Sequence, residues 1–228
     1  MGETLMKKML IIIVVLAVIL ITMMIYKNMT VNNSNIISIQ EIENIEKSIF
    51  NIYLWKEVTN NALPEFENVN DADDLWTWEA VKKNVEKFEV SYEEIEKESK
   101  ELFGQEFNKN FPKSGNTSFE YNEENDIYLA TGVNLDQMED DFLISNIQRL
   151  EDGYEIKIIE YLEDYSNEGK VIVRNTSEEE IGQVGIDDSE TKIQEIVKEN
   201  ETRFDKKKLY FKTENNNLII QKVEKVQE

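Results

Sequence analysis

The sequence predicts an α+β protein: a transmembrane helix near the N-terminus, then about three helices packed on a curved antiparallel sheet of about six strands, with one inserted helix. Three observations support this prediction. Residues 9–26 are apolar and uncharged, apolar residues recur at helical spacing between residues 36 and 110, and strand-like alternation follows residue 117. A run of helices followed by a run of strands is typical of α+β domains.

The first element is the apolar stretch at residues 9–26, MLIIIVVLAVILITMMIY. A helix of about 18–20 such residues spans a hydrocarbon core of roughly 30 Å. Lys7 and Lys8 precede the stretch and Lys27 follows it, and such flanks suit the two membrane interfaces. The stretch is longer than the core of a usual cleaved signal peptide, and no Ala-x-Ala-like site follows it. We therefore expect an uncleaved signal anchor; a cleaved signal and a buried core helix are the alternatives.

The charges around this stretch predict its orientation. The head carries Lys7 and Lys8 against Glu3, which favours a cytoplasmic N-terminus by the positive-inside rule. The predicted organisation is a cytoplasmic head at 1–8, a transmembrane signal anchor at 9–27, a connector at 28–35 and an extracytoplasmic domain at 36–228. The expected location is the cell membrane, crossed once, with the C-terminal domain outside.

Composition excludes several classes of function. The chain has 25 Lys+Arg, 47 Asp+Glu and a net charge of −22, and such a surface repels nucleic acid. It has no Cys and no His, which excludes Ser-His-Asp and Cys-His catalysis and the usual zinc and copper sites. Acid–base catalysis could use only carboxylates, Lys and Tyr. We predict no metal and no cofactor, and the sequence assigns no catalytic, metal-binding or cofactor-binding residue.

Three helices are predicted after the connector. The first spans residues 36–61, with Ser34 or Asn35 as its cap. The second begins at the acids of residues 71–74, whose charge suits a helix N-terminus; these acids do not form a calcium loop, because Leu75 stands where an oxygen ligand is needed. The third runs from Ser91, which with Glu94 forms a capping box, to about residue 110.

Strands dominate the rest of the chain. Asp152-Gly153 predicts a hairpin with a type I′ turn, which needs positive φ at both residues. The apolar phase changes at Ile159, which predicts a bulge or a passage from one-sided to two-sided burial. The predicted strands are 117–121, 126–131, 142–151, 154–165, 170–175, 207–213 and 218–226, with loops at 132–141 and 176–188 and a helix at 189–204.

The helical trio, the long strand at 154–165 and the closing hairpin KKLYFKTENNNLIIQKVEKV resemble the NTF2-like (cystatin-like cone) superfamily. The resemblance spans residues 36–228 and lies in architecture. It implies helices wrapped on the concave face of a bent sheet. It carries over no functional residue, since that superfamily includes enzymes, ligand binders and interaction modules.

Four polar groups are candidate sites. They are, in order, Glu139-Asp140-Asp141; Tyr161, Glu163, Asp164 and Tyr165; Lys206-Lys207-Lys208; and Glu178-Glu179-Glu180. All four can be interpreted structurally, as solvated or packed residues. The first three also have a functional interpretation: acid–base catalysis for the first group, a ligand site at the mouth of the cone for the second and an anion-binding patch for the third. The fourth has no interpretation beyond solvation.

The sequence therefore predicts a membrane-anchored extracytoplasmic binding or scaffolding domain without catalysis, with a protein partner in the cell envelope. Three alternatives stay open. The first is a carboxylate-based isomerase or hydrolase in an NTF2-like cone. The second is a VirB8-like component of a secretion or conjugation channel, and the third is a signalling receptor.

Overall fold

The structure, a computed structural model, describes residues 37–85, 87–115, 117–132, 138–188 and 190–226. The predicted head, anchor and connector lie outside these residues. In the ranges that are described, no helix is long and apolar enough to span a membrane. The chain divides into two compact units, Met1–Ile42 and Glu43–Glu228. In the first unit, the described residues include Ser38 and Glu41, whose side chains each accept from the other's backbone N–H, at 3.3 and 2.9 Å.

The described residues form an α+β fold with five α-helices, as the sequence predicts in outline. Two of the helices have N-cap residues whose side chains bond to the first helical turn: Asp73 accepts from the Trp76 N–H, and Ser91 and Glu94 form the predicted capping box. The helices are α1 (Ile39–Ile52), α2 (Lys56–Thr59), α3 (Asp74–Asn84), α4 (Tyr92–Phe103) and α5 (Glu190–Glu199).

Nine strands, counted within the described residues, form two antiparallel sheets. A small sheet has the order β1-β3-β2, and the main six-stranded sheet has the order β7-β6-β5-β8-β9 with β4 paired to β5. The strands are β1 (Glu89–Val90), β2 (Phe119–Asn122), β3 (Ile127–Ala130), β4 (Met138–Arg149), β5 (Gly153–Asp164), β6 (Lys170–Arg174), β7 (Glu180–Gly185), β8 (Lys206–Glu214) and β9 (Asn217–Lys225).

Strand β5 organises the main sheet. Residues 154–164 pair with β4, and the other edge of β5 pairs first with β8 and then with β6. Ile156 and Ile158 belong to the main core under the helices, whereas Ile159 and Tyr161 belong to a second core with α5. The predicted two-sided burial is therefore confirmed, and the predicted bulge lies in the partner strand, between Ile144 and Asn146.

The main core is filled by aromatic side chains in contact with one another. The ring centroid of Trp76 lies 5.6 Å from that of Phe66 and 5.7 Å from that of Phe103. Trp78 meets Phe111 edge-on at 4.6 Å, and Phe111 in turn contacts Phe119 and Tyr128. Such tilted and edge-to-face pairs are the arrangements that aromatic quadrupoles favour.

Several helical predictions need correction. The helix predicted at 36–61 ends at Ile52, and the short α2 follows it. Helix α1 begins at Ile39, directly after Ser38, so the predicted caps at Ser34 and Asn35 lie outside the described residues. The third helix ends at Phe103 and not near residue 110, because Gly104 adopts φ 89°, outside the helical region.

The strand predictions are wrong in three places. Residues 138–141, predicted as loop, are the first part of β4, and residues 180–185, also predicted as loop, are β7. Strand β3 pairs with β1 and β2 in a sheet of their own, and neither β2 nor β3 pairs with the main sheet. Neither Asp152 nor Gly153 has positive φ, so their turn is not type I′; Gly153 is needed because a Cβ there would lie 1.8 Å from the Phe211 carbonyl oxygen.

Candidate functional site

Polar side chains occupy both faces of one end of the β4–β5 pair. Directly paired residues of antiparallel strands project to the same face. Glu139 pairs with Glu163 and Asp141 with Tyr161, on the face that continues into the second core. Asp140 and Phe142, paired with Leu162 and Glu160, project to the main core. The three consecutive acids are thus divided between the two faces by the strand period.

On the main-core face, a buried ion pair joins β5 to β8. The Lys207 Nζ lies 3.0 Å from Glu160 Oε1 and 3.0 Å from Oε2. The two side chains are 7% and 5% exposed. Burial raises the pKa of Glu160 more than the Lys207 ammonium and the hydrogen bonds from Lys207 and Tyr53 lower it.

Residues on either side of α2 complete the hydrogen bonding of this ion pair. Lys207 Nζ also donates to the Leu63 carbonyl oxygen at 2.5 Å and to Asn61 Oδ1 at 3.1 Å. The Tyr53 hydroxyl lies 3.3 Å from Glu160 Oε1 and 3.1 Å from the Asp141 carbonyl oxygen. Burial and then the neighbouring carboxylates raise the pKa of Tyr53 well above its usual value, so it stays a neutral donor. These contacts engage both charged groups with protein partners, so the arrangement is structural.

Asp140 lies beside this cluster. Its Oδ2 accepts from the Lys56 backbone N–H at 2.7 Å. Burial raises the pKa of Asp140 to about 6, although that hydrogen bond and the Lys56 charge lower it. A carboxyl that titrates near pH 6 can act as an acid or a base, yet the side chain is already engaged by the start of α2.

The opposite face carries a group of carboxylates that we call the acidic patch: Glu139, Asp141 and Glu163. Asp141 Oδ2 accepts from the Tyr161 hydroxyl at 2.8 Å, and Glu163 accepts from the Tyr165 hydroxyl. Burial raises the pKa of both Asp141 and Glu163, and nearby carboxylates, including Glu190 of α5, raise them further. Within the described residues, no Lys or Arg forms an ion pair with a member of the patch.

The second candidate group is divided by the structure. Glu163 belongs to the acidic patch and Tyr161 and Tyr165 donate to it, whereas Asp164 forms an ion pair with Arg174 Nε at 2.8 Å. The Ser166 backbone N–H also donates to Asp164 Oδ1. The Ser166 side chain, then this N–H and Arg174, lower the pKa of Asp164 against its burial. Asp164 therefore holds the end of β5 to β6.

Most residues of the two charge runs form ion pairs with neighbouring side chains. Lys206 pairs with Glu201 at 3.0 Å, Lys207 with Glu160, and Lys208 with Glu224 at 3.5 Å. The interpretation of the lysine triplet as a solvated strand start is wrong for Lys207, which is buried. In the acidic run, Glu179 pairs with Arg203 and Glu178 lies 3.9 Å from Lys56. Each Lys of the triplet therefore has an acidic partner, whereas Glu180 forms no ion pair within the described residues.

The chemistry open to these residues is limited. In the described part of the chain, no group of three or more Asp or Glu residues is placed to hold a metal ion. A groove of about 540 Å³ lies between the β6–β7 hairpin and α5, lined among others by Lys170, Gln183 and Glu195. It is separate from the ion pair and from the acidic patch, so it gives neither of them a substrate cavity.

Sequence reasoning missed Tyr53, Asn61 and Leu63 as partners of the ion pair. The burial of Glu160 and Lys207 could have been predicted, since each is in phase with a buried residue two positions away, Ile158 and Leu209.

Comparison with known proteins identifies no relative of this chain: no family model, no curated protein and no solved structure matches it.

Proposed function

We propose that this protein is a membrane-anchored extracytoplasmic domain that binds or scaffolds a partner and has no catalytic activity of its own. Residues 9–27 are the anchor, and residues 36–228 are displayed outside the membrane. The NTF2-like architecture belongs to the same proposal, with the helices on the concave face of the main sheet. The observation that carries the proposal is an uncharged apolar run long enough to span a bilayer, placed ahead of an acidic unit with its own core.

The absence of catalysis is supported by how the polar groups near the core are used. Catalytic groups need a cavity in which a substrate can approach them. Here the strongest candidates, Glu160 and Lys207, bond to each other, and Lys207 also bonds to the Asn61 side chain and the Leu63 carbonyl. The aromatic side chains beside them fill the main core. The carboxylate enzyme would need a substrate to reach Asp140 or Glu160, whose carboxylates already accept hydrogen bonds from the Lys56 N–H and from Lys207.

The anchor is tested by alkaline carbonate extraction of membranes from cells that make the full chain. The unaltered protein should remain in the membrane pellet. The double variant Leu16→Arg/Ile19→Arg should move to the soluble fraction, because each Arg at the centre of a span costs about 3 kcal/mol for insertion. The variant Leu16→Ile/Ile19→Leu keeps the hydrophobicity and should stay in the pellet. Extraction of the unaltered chain would contradict the anchor.

The binding role is tested by cross-linking the full chain in its native membrane. We expect a specific protein partner to be recovered with the chain after solubilisation in detergent. Exhaustive cross-linking that captured the chain alone would contradict the binding or scaffolding role while leaving the anchor intact.

A further inference from the structure

Strand β4 leaves the main sheet with a long open edge. Eleven of its twelve residues pair with β5, and within the described residues no other strand pairs with it. The two other terminal strands are less open. Strand β7 has six residues, and the outer edge of β9 is partly occupied by Phe66, whose N–H and carbonyl both bond to Val223. An edge strand presents unpaired backbone groups that can template another strand.

A bulge divides this edge. The register shifts between Ile144 and Asn146, so residues 138–144 form a regular seven-residue segment before the irregularity. Seven residues are enough for a partner segment to add as a strand, since natural strands average about five or six residues. Two backbone groups of this segment already have side-chain partners: the Asp141 carbonyl oxygen lies 3.1 Å from the Tyr53 hydroxyl, and the Phe142 N–H donates to Asp141 Oδ1 at 2.7 Å.

The charge along this segment is negative and uncompensated. Glu139 is exposed, and Asp141 follows two positions later on the same face, beside Glu163 of β5. Their near neighbours are also acids, and the whole chain carries −22. A strand added beside β4 would place alternate side chains over Glu139 and Asp141, where cross-strand pairs of opposite charge are favourable.

We propose that the edge formed by residues 138–144 binds an extended, basic segment of a partner protein as an added strand, with alternate Lys or Arg side chains over the acidic patch. This names the partner class of the proposed binding function and rests on that function. Backbone hydrogen bonds supply the pairing, and the carboxylates select a basic sequence.

A second copy of this chain fits the edge less well. Strand β4 contains one basic residue, Arg149, which lies beyond the bulge. Two copies would also bring together chains that each carry −22. Pairing between copies is therefore the competing outcome of the test.

The test uses the full chain in detergent micelles and three fluorescent ten-residue peptides. The first peptide alternates Lys and Val, the second alternates Glu and Val, and the third is the Lys-Val peptide with alternate backbone nitrogens methylated. We expect saturable binding of the first peptide, with slower hydrogen exchange at the amides of residues 138–144. We expect binding weaker by about tenfold or more for the other two, because one has the wrong charge and the other cannot pair as a strand.

Two matched variants locate the site. Glu139→Lys should weaken binding of the Lys-Val peptide by about tenfold or more, whereas Glu168→Lys, at an exposed acid in the β5–β6 loop, should change it by less than about twofold. Equal weakening by both variants, or equal binding of the methylated peptide, would show unspecific attraction and overturn the proposal. No saturable binding would also overturn it.

Sedimentation of the same samples tests pairing between copies. A dimer of the unaltered chain that Glu139→Lys abolishes would assign the edge to a second copy and so overturn the basic partner. If any of these tests fails while the chain still resists carbonate extraction, the proposed class of partner is wrong and the proposed membrane anchor is unaffected.

Discussion

Lys207 and Glu160 form an ion pair 3.0 Å long inside the domain, and both side chains are less than a tenth exposed. The pair ties β8 to β5, and Lys207 ties both to the loop after α2 through Leu63. Charges buried in this way are tolerated when they are paired and hydrogen-bonded, and they destabilise a fold strongly when one partner is removed.

We predict that Lys207→Met lowers the free energy of unfolding by about 3–5 kcal/mol, because Glu160 is then left buried without a cation. The double variant Lys207→Met/Glu160→Leu should recover at least half of that loss. Urea denaturation of each purified variant measures the change. Lys208→Met is the control, since Lys208 faces the other side of β8 and its pairs are longer, 3.5 and 3.9 Å; it should lose at most about 1 kcal/mol. A double variant as unstable as the single one would contradict the pairing.

Asp140 should make stability depend on pH. Its pKa in the folded protein, about 6, lies above its ordinary value of 3.8, so the folded state binds the proton more tightly than the unfolded state. Stability should therefore fall as pH rises from about 4 to about 6, and the loss should stay constant above that range.

The variant Asp140→Asn keeps an acceptor for the Lys56 N–H and cannot ionise. At pH 7–8 it should be more stable than the unaltered protein by about 1–2 kcal/mol, after allowance for solvent screening at this partly exposed side chain. The advantage should vanish near pH 4. Thermal unfolding between pH 4 and 8 measures it, with Glu168→Gln as a control for net charge. An advantage that did not change with pH would show that ionisation of Asp140 is not its cause.

Gly153 should tolerate no side chain. An Ala Cβ at this position would lie 1.8 Å from the Phe211 carbonyl oxygen, in the backbone of the paired strand β8. Gly153→Ala should therefore destabilise the protein by about 2–4 kcal/mol, because strand pairing has to shift. Gly132→Ala is the control: its Cβ meets no atom of the described residues within 4 Å, and chemical denaturation should show a change within about 0.5 kcal/mol. Equal effects at the two glycines would refute the close approach.

The capping box of α4 makes a smaller contribution that can be measured separately. Ser91→Ala removes the acceptor of the Glu94 N–H, which lies 3.2 Å from Ser91 Oγ, and should lower stability by about 1 kcal/mol. Ser91→Asp retains an acceptor and should restore most of the loss. If Ser91→Asp were as unstable as Ser91→Ala in the same denaturant series, the cap would not be the cause.

The sequence predicts best where one local pattern decides the structure. The capping box at Ser91 is confirmed because side chain and backbone partners lie within one helical turn. The two-sided burial of β5 is confirmed because it follows from apolar residues at both odd and even positions. The helix at 189–204 is confirmed in its centre, as α5, by the same kind of periodicity.

The sequence does not predict the contacts between segments that lie far apart in the chain. Tyr53 and Glu160 are 107 residues apart, and Lys207 and Asn61 are 146 apart, so no local pattern reports that they meet. Asp152-Gly153 carries the composition of a type I′ turn, but the close approach of β8 and not the turn requires that glycine. Positive φ occurs instead at Asn215 and Asn216, 51° and 69°, in the β8–β9 turn.

Display of the domain outside the membrane is tested most directly by cysteine labelling, which this chain suits because it has no native cysteine. Single variants Thr4→Cys, in the head, and Glu168→Cys, in an exposed loop of the domain, are treated with a membrane-impermeant maleimide in spheroplasts and after lysis. We predict that Glu168→Cys is labelled before lysis in a full-length, membrane-bound chain, and that Thr4→Cys is labelled only after lysis. Labelling of Glu168→Cys only after lysis, or its recovery in a soluble form trimmed behind Tyr26, would contradict anchored display outside the membrane.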